Sequence, residues 1–245
     1  RHITRANWLK DEHASQYFRL LPEGELKQLF NTWLALNPSK EKDSLTEIIK
    51  EQIVPGDIDV NIMSKVDKIN HAKNGEMLPE QFSDASAALR GFANSDLQSS
   101  VILSAGMNPR LYSYLAEFPA FMPNSAGTFD KKITLKVSDY RSALIQAKFL
   151  AKKGIWISEY RIESGLNCGG HAFATEGFLM GPILEEFKQK KTELLQSTTD
   201  LLNKALLTKG KAVPEQPLPL KITVQGGVGT AEEHQFLLDY YEVDS

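Results

Sequence analysis

The amino-acid sequence predicts an α/β protein in which helices cover a parallel β-sheet, preceded by a helical segment. The main observation is that short apolar runs alternate with longer amphipathic segments after about residue 56, an order typical of strand–helix–strand units. The second is the composition: of 245 residues, 42% are hydrophobic and 24% are charged, as in ordinary globular proteins. A chain of this length forms one large domain or two small ones.

The composition also excludes several classes of partner. The formal net charge is -3, so no overall basic field exists to hold nucleic acid or an anionic membrane. No apolar run approaches the roughly 20 residues of a membrane-spanning helix, and the first residues lack the apolar centre of a signal peptide. The single cysteine cannot form an internal disulfide, which fits a reducing compartment. We therefore expect a cytoplasmic protein with a small-molecule substrate and no nucleic-acid or membrane partner.

The first part of the chain, residues 1–55, is predicted to be a helical extension, and residues 56–245 to form the sheet domain. Apolar residues repeat at spacings of three and four along one predicted helix. They are Leu26, Leu29, Phe30, Trp33 and Leu34. Ser44 and Glu47 have the spacing of a capping box and predict that another helix begins there. Pro55 and the glycine after it then break the chain.

Five strands and five helices are predicted to alternate along the sheet domain. The strands are the short apolar runs at 57–65, 100–106, 132–138, 155–163 and 221–227. The helices run from Pro79 through Phe92, over 109–118 and 139–154, from Pro182 to about Leu207, and from Thr230 onwards. Proline favours the first position of a helix, and two lysines with a glycine suit the end of the helix at 139–154. Thr230 and Glu233 form a capping-box pattern.

Paired glycines follow two of the five strands, Gly169-Gly170 and Gly226-Gly227. In parallel α/β proteins chemistry gathers where the strands end, at the carboxyl edge of the sheet, in open sheets and barrels alike. Glycines there let backbone N–H groups approach a ligand, and a following helix N-terminus adds positive potential. Gly226 and Gly227 form either a phosphate cradle or a tight turn that needs positive φ. Glu232 and Glu233 weigh against the phosphate, because carboxylates in the first turn compete for the same field.

His171 follows the first glycine pair directly, at the predicted mouth of the sheet. Its imidazole is suited to general-base catalysis near neutral pH. The alternative is a loop histidine that only hydrogen-bonds to nearby backbone. Cys168 stands three residues earlier, a metal-like spacing, but a structural zinc site needs about four protein ligands and the other histidines lie in unrelated segments. We therefore expect no metal site. Cys168 is either a nucleophile paired with His171 or a buried, inert thiol, and the absence of any other hydrolase motif favours the inert thiol.

Two lysines fall near predicted strand ends, Lys65 and Lys136. A lysine at such a position either holds an anion or stabilises a reduced flavin. The alternative for each is an ordinary surface lysine.

The segment from Ile133 to Gly227 resembles the nitronate monooxygenase family, which are FMN-dependent TIM barrels also known as 2-nitropropane dioxygenases. The resemblance rests on an ordered series of motifs. A strand that ends in Val-Ser precedes a helix that ends in Lys-Lys-Gly, and the next strand leads through Glu163 into C-G-G-H-A-F. That loop is similar to the family's A-G-G-H-R-G, and the later V-Q-G-G-V is similar to the family's A-A-G-G-I phosphate turn.

This resemblance implies a TIM-type α/β barrel and a flavoprotein. The chain would be an FMN-dependent oxidoreductase, monooxygenase-like, that oxidises a small carbon acid. His171 would take the place of the family's catalytic base and remove a proton from the carbon beside a nitro group. Gly226 and Gly227 would bind the FMN phosphate, while Gly169 and Gly170 would lie along the flavin. The flavin would carry electrons from the substrate to O2.

The chain departs from the family at several points. Ala172 and Phe173 stand where the family has Arg-Gly, and a long charged helix separates His171 from the strand of Val224. The family's last barrel strand would begin at Val243–Ser245, so we expect a barrel that is incomplete or is completed by another segment. The flavin domains of glutamate synthases are a more distant resemblance. The alternative function is a non-catalytic, barrel-derived protein that binds a phosphorylated small molecule or cofactor.

Overall fold

The structure, a computed structural model, describes residues 11–21, 23–53, 58–62, 67–104, 106–163, 180–226 and 228–245. The chain divides into two compact units, Arg1–Asp57 and Ile58–Ser245. In the described part, the first unit contains helices alone, and the second alternates strands with helices. The predicted α/β class is therefore confirmed.

Three helices make up the described part of the first unit. They are α1 (Asp11–Leu20), α2 (Glu25–Ala35) and α3 (Lys40–Gln52). They share one apolar cluster, which consists of Ala14, Phe18, Phe30, Trp33, Ile49 and Ile53. Phe18 stacks on Phe30 in this cluster, with ring centroids 4.0 Å apart. Phe30 and Trp33 thus lie on the buried face of α2 as predicted, whereas Leu34 is exposed.

The predicted start of α3 is wrong. The helix begins after Ser39, whose hydroxyl accepts a hydrogen bond from the backbone N–H of Lys42 (3.2 Å). Ser44 and Glu47 therefore lie inside the helix. Both serines suit an N-cap by residue type. The earlier start adds a turn whose Lys42 ammonium lies 4.3 Å from the centroid of the Trp33 ring, a favourable cation–π contact.

Five parallel strands form one sheet in the second unit, in the order in which they occur in the chain. They are β1 (Val60–Ile62), β2 (Ser100–Leu103), β3 (Lys132–Val137), β4 (Glu159–Glu163) and β5 (Lys221–Gln225). Each lies within one of the five apolar runs that predicted it, so these strands are confirmed. β4 is shorter than its run, because the buried residues Ile155, Trp156 and Ile157 precede the strand.

Helices connect the successive strands and follow the last one. They are α4 (Asp84–Ala93), α5 (Pro109–Leu115), α6 (Tyr140–Ala151), α7 (Met180–Thr208) and α8 (Ala231–Tyr241). The predicted capping box at the start of α8 is confirmed, with Thr230 and Glu233 bonded reciprocally. Among the described helices, none combines the length and the apolar character needed to cross a membrane.

The start of α4 differs from the prediction. Pro79 precedes a single 3₁₀ turn, Glu80–Phe82, and the α-helix begins only after Ser83. The Ser83 hydroxyl accepts a hydrogen bond from the N–H of Ser86 (3.3 Å), the usual role of an N-cap serine. Ser83 is fully buried, so tertiary packing selects this cap over the proline.

The strand order implies that all the connecting helices lie on one face of the sheet. Right-handed crossovers that proceed in a single direction put every helix on the same side, whereas a doubly wound sheet reverses direction and is covered on both sides. One apolar core accordingly joins the helices to alternate strand residues. The strand members of this core are Ile62, Val101, Leu103, Ile133, Leu135, Val137, Tyr160, Ile162 and Ile222. A barrel also winds in one direction, but among the described strands β1 and β5 remain the edges of the sheet.

The last residues of the sequence lie along the free edge of β5. The N–H of Asp244 donates to the carbonyl of Ile222 (2.7 Å), and the N–H of Val224 donates to the carbonyl of Ser245 (3.0 Å). Val243 is buried in the core of the sheet unit. Two backbone hydrogen bonds and the burial of Val243 thus hold these residues beside β5.

Candidate functional site

The face of the sheet opposite the helices is polar. Side chains alternate between the two faces of a strand, so the strand residues that lie between the core positions point away from the helices. We call this set the polar face. It consists of Asn61, Ser100, Ile102, Lys132, Thr134, Lys136, Glu159, Arg161, Glu163, Lys221, Thr223 and Gln225. Its single apolar member is Ile102.

Glu159 lies near the middle of the polar face and binds three neighbours. Its Oε1 accepts hydrogen bonds from Nε of Arg161 (2.8 Å) and from the hydroxyl of Thr223 (2.7 Å), and Nη2 of Arg161 is also 2.8 Å away. Its Oε2 accepts a hydrogen bond from the hydroxyl of Thr134 (3.2 Å). We call these four residues the Glu159 cluster. Since β3, β4 and β5 all contribute to it, the cluster ties three strands together on the polar face.

Lys136 and Glu163 form an ion pair nearer the carboxyl edge. Nζ of Lys136 lies 2.7 Å from Oε1 of Glu163, and their side chains are only 20% and 6% exposed. Glu163 is the last residue of β4. A buried carboxylate is costly without an opposite charge, and the Lys136 ammonium supplies one to Glu163. The pair places a fixed cation and a fixed carboxylate at the edge where ligands of parallel α/β proteins bind.

Gly226 follows β5 at the same edge, with a φ of 93°. That left-handed conformation favours glycine over any other residue, which supports the tight-turn interpretation of this position. Past the turn, Oε2 of Glu233 accepts hydrogen bonds from the N–H groups of Gly229 (2.7 Å) and Thr230 (3.1 Å). These two amides at the start of α8 are therefore engaged by a carboxylate.

The predicted site residues divide into two groups. Lys136 and Gly226 are described, and both lie at the carboxyl edge, on β3 and directly after β5. The others lie outside the described residues; they are Lys65, Gly169, Gly170, His171 and Gly227, together with Cys168.

Asp67 anchors a second polar group at this edge, after β1. Its Oδ2 accepts hydrogen bonds from Nη2 of Arg110 (2.8 Å) and Nδ2 of Asn108 (3.1 Å), and its side chain is 1% exposed. Burial by itself would raise the pKa of Asp67, but hydrogen bonds from Arg110, Ser83 and Asn108 outweigh it and hold the pKa below its usual value. The contact links the loops after β1 and β2, so we assign it a structural role.

The stability of the sheet unit should therefore depend on the ionisation of Asp67. A carboxyl whose pKa is lowered by folding stabilises the fold above its unfolded pKa of about 3.9, and this contribution is lost as the pH falls through the folded pKa. Asp67→Asn is expected to cost about 1.5–3 kcal/mol at pH 7, the range for hydrogen bonds to charged groups, and less near pH 3. Thermal unfolding between pH 3 and 7 measures this. Asp130→Asn at an exposed position is the control, and parallel pH profiles for Asp67→Asn and wild type would contradict the assignment.

Most residues of the polar face were not predicted as site residues from the sequence. Glu159, Arg161, Thr134 and Thr223 received no role, and Glu163 appeared only as part of a motif. The signal was present: K-I-T-L-K-V, E-Y-R-I-E and K-I-T-V-Q alternate strictly between polar and apolar residues. Parallel strands covered by helices on both faces read as continuous apolar runs. Strict alternation in three successive parallel strands thus indicates a sheet with helices on one face and a polar surface on the other.

Comparison of the chain with protein-family models, with curated proteins and with solved structures finds no match.

Proposed function

We propose that the chain is an FMN-dependent oxidoreductase of the TIM-barrel type, whose site lies on the polar face at the carboxyl edge of the sheet. The observation that carries the proposal is the Lys136–Glu163 ion pair, a partly buried cation held by a buried carboxylate where parallel α/β proteins bind ligands. The motif resemblance to nitronate monooxygenases supports the choice of cofactor. It also supports a small carbon acid as the substrate.

The residues at this edge fit the chemical groups of FMN. The Lys136 ammonium suits the negative charge that a reduced flavin ring carries, and Glu163 keeps that ammonium in a fixed position. The left-handed turn at Gly226 has no side chain to obstruct a phosphate, so the amides of Gly226 and Gly227 are proposed to bind it. When bound, FMN would accept two electrons from the substrate and pass them to O2.

The proton step is assigned to His171. In this proposal its imidazole removes a proton from the acidic carbon of the substrate, a task for which a group with a pKa near ~6.5 is suited at neutral pH. Gly169 and Gly170 would let the flavin ring approach the backbone closely. Lys65, which follows β1 in the sequence, is proposed to hold a negative charge of the same ligand.

Flavin binding is the direct test of the cofactor. We expect the purified protein to absorb near ~450 nm, the flavin band, and to release FMN on denaturation, identified by mass spectrometry. Stripped protein titrated with FMN and with riboflavin tests the phosphate turn, and FMN should bind at least about 10-fold more tightly if amides hold the phosphate. A colourless protein that cannot be reconstituted with FMN would favour a non-catalytic protein that binds another phosphorylated molecule.

The same preparation tests the assigned base. His171→Ala is expected to lower turnover of a neutral nitroalkane, whose acidic carbon still carries its proton, by about 10²- to 10⁴-fold while the bound flavin remains. His234→Ala on the exposed side of α8 is the matched control and should turn over like wild type. Equal activity of both variants would remove His171 from the mechanism without affecting the cofactor assignment.

A further inference from the structure

Two cations stand side by side on the polar face. Lys136 on β3 and Arg161 on β4 are register partners in the parallel ladder, so their backbones lie about 4.8 Å apart and both side chains leave the same face. Like charges at the same level of neighbouring strands repel each other. Packing of the sheet alone therefore does not favour this arrangement, which suggests that the two cations serve a ligand.

Each cation is held from one side only. Glu159 binds Nε and Nη2 of Arg161 and lies two residues before it on β4. Glu163, two residues after Arg161 on β4, binds Lys136 of β3. In the described part of the chain, Nη1 of Arg161 has no acceptor, and Lys136 uses one of the three donors of an ammonium. The two carboxylates thus fix the cations in place and leave N–H donors on both for another acceptor.

The charge of the polar face favours an anion. Its cations are Lys132, Lys136, Arg161 and Lys221, and its carboxylates are Glu159 and Glu163. The face therefore carries two more positive than negative charges, although the chain as a whole has a net charge of -3. Lys132 and Lys221 are the exposed first residues of β3 and β5, so this excess attracts an anion only over a distance and is screened by salt. Direct contact with the anion is left to Lys136 and Arg161. The side chains of Lys136 and Arg161 are 20% and 24% exposed, so solvent reaches both.

We infer that Arg161 and Lys136 together bind the carboxylate of a small anionic substrate on the polar face. A guanidinium offers donors in a planar fork that matches a carboxylate. The neighbouring ammonium has three donors, so besides Glu163 and the flavin it can give one charge-assisted hydrogen bond to the carboxylate. The inference rests on the proposed function, because it takes the bound anion to be the substrate of that enzyme. It adds that this substrate is a small carboxylate. Binding of the anion itself can be measured with or without flavin.

The experiment measures binding of malonate to the purified full chain by calorimetry, with malonamide as the uncharged probe and inorganic phosphate as the competing anion. We expect malonate to bind at least about 10-fold more tightly than malonamide. The affinity for malonate should fall as the salt concentration rises. Arg161→Lys keeps the charge that Glu159 needs but removes the fork, and it should weaken malonate binding by about 10- to 100-fold. Lys221→Met removes an exposed cation of the same face and should change binding by less than about 2-fold.

Several results would overturn the inference. Malonate binding that is absent, equal to that of malonamide, or unchanged in Arg161→Lys would do so. Phosphate that binds more tightly than malonate and is lost in the same variant would mean that the cations hold a phosphate group instead of a substrate carboxylate. If Arg161→Lys does not fold, the double variant Glu159→Gln/Arg161→Gln removes both charges together and should still abolish malonate binding. A protein that binds malonate as expected but never binds FMN would refute the proposed function alone, whereas a yellow protein without malonate binding would refute the carboxylate site alone.

Discussion

Leu135→Ala is expected to destabilise the sheet unit by about 3–5 kcal/mol, the largest single effect that the fold predicts. Leu135 is fully buried near the middle of β3, the central strand. Its register partners are Leu103 on β2 and Tyr160 on β4, and both belong to the core that the helices cover. Truncation there removes apolar contacts and leaves a cavity that the two paired strands cannot collapse to fill, because the ladder fixes their spacing.

Urea unfolding followed by far-UV circular dichroism measures this change. The matched control is Ile145→Ala, which removes a side chain of similar size from the exposed side of α6 and should stay within about 0.5 kcal/mol of wild type. Equal effects of the two substitutions would mean that β3 is not the centre of the core. A loss below about 1 kcal/mol for Leu135→Ala would have the same meaning.

The strands were predictable because each is a short segment rich in apolar and β-branched residues that ends at a polar or glycine residue. Their order in the sheet also follows from simple rules, since short connections and right-handed crossovers favour neighbours in sequence. Helix starts were less predictable. Ser39 and Ser44 both satisfy the preference for an N-cap, as do Pro79 and Ser83 for a helix start. The choice between them depends on packing, which a local pattern does not contain.

The candidate site was only partly predictable for a different reason. Lys136 was singled out by its position at the end of a strand, but its partner Glu163 could be paired with it only through the register of β3 and β4. The hydrogen bond between Glu159 and Thr223 joins residues 64 positions apart. Contacts of this kind depend on which strands lie side by side and at what offset, so they become visible only when the sheet is built.

The role of a carboxylate at the start of α8 was predicted from the sequence. The sequence indicated that a carboxylate in the first turn of the last helix would compete with an anion there, and Glu233 does bind the N–H groups of Gly229 and Thr230. The sequence pattern does not show which N–H groups the Glu233 carboxylate binds, because that depends on the geometry of the folded capping box. The N–H groups of Gly229 and Thr230 are thus occupied by the Glu233 carboxylate.

The second large effect concerns the Glu159 cluster. Glu159→Ala is expected to lower the free energy of unfolding by about 2–4 kcal/mol. The substitution leaves the Arg161 guanidinium without its carboxylate and the hydroxyls of Thr134 and Thr223 without their acceptor, and removing one partner of a buried ion pair typically costs about 3–5 kcal/mol. The expected value lies somewhat below that range because the side chains of Glu159 and Arg161 retain 16% and 24% of their exposure.

An exposed ion pair of similar length provides the control. Lys190 and Glu186 lie 2.7 Å apart on α7, with side chains 43% and 42% exposed, and such pairs contribute about 0–1 kcal/mol. Glu186→Ala should therefore change the unfolding free energy by less than about 1 kcal/mol, although the contact it removes is as short as that of Glu159. Burial and the number of partners, and not distance, decide the difference between the two carboxylates.

The double variant Glu159→Ala/Arg161→Met separates charge from packing. If the cost of Glu159→Ala comes from an uncompensated guanidinium, removal of Arg161 should restore about 1–2 kcal/mol of the loss, because the remaining side chains are then apolar or neutral. If the two losses simply add, the cluster stabilises the sheet through its threonine hydrogen bonds instead. Urea unfolding of the four proteins of this cycle measures the coupling, and a single-variant effect no larger than that of Glu186→Ala would show that the cluster contributes little to the stability of the polar face.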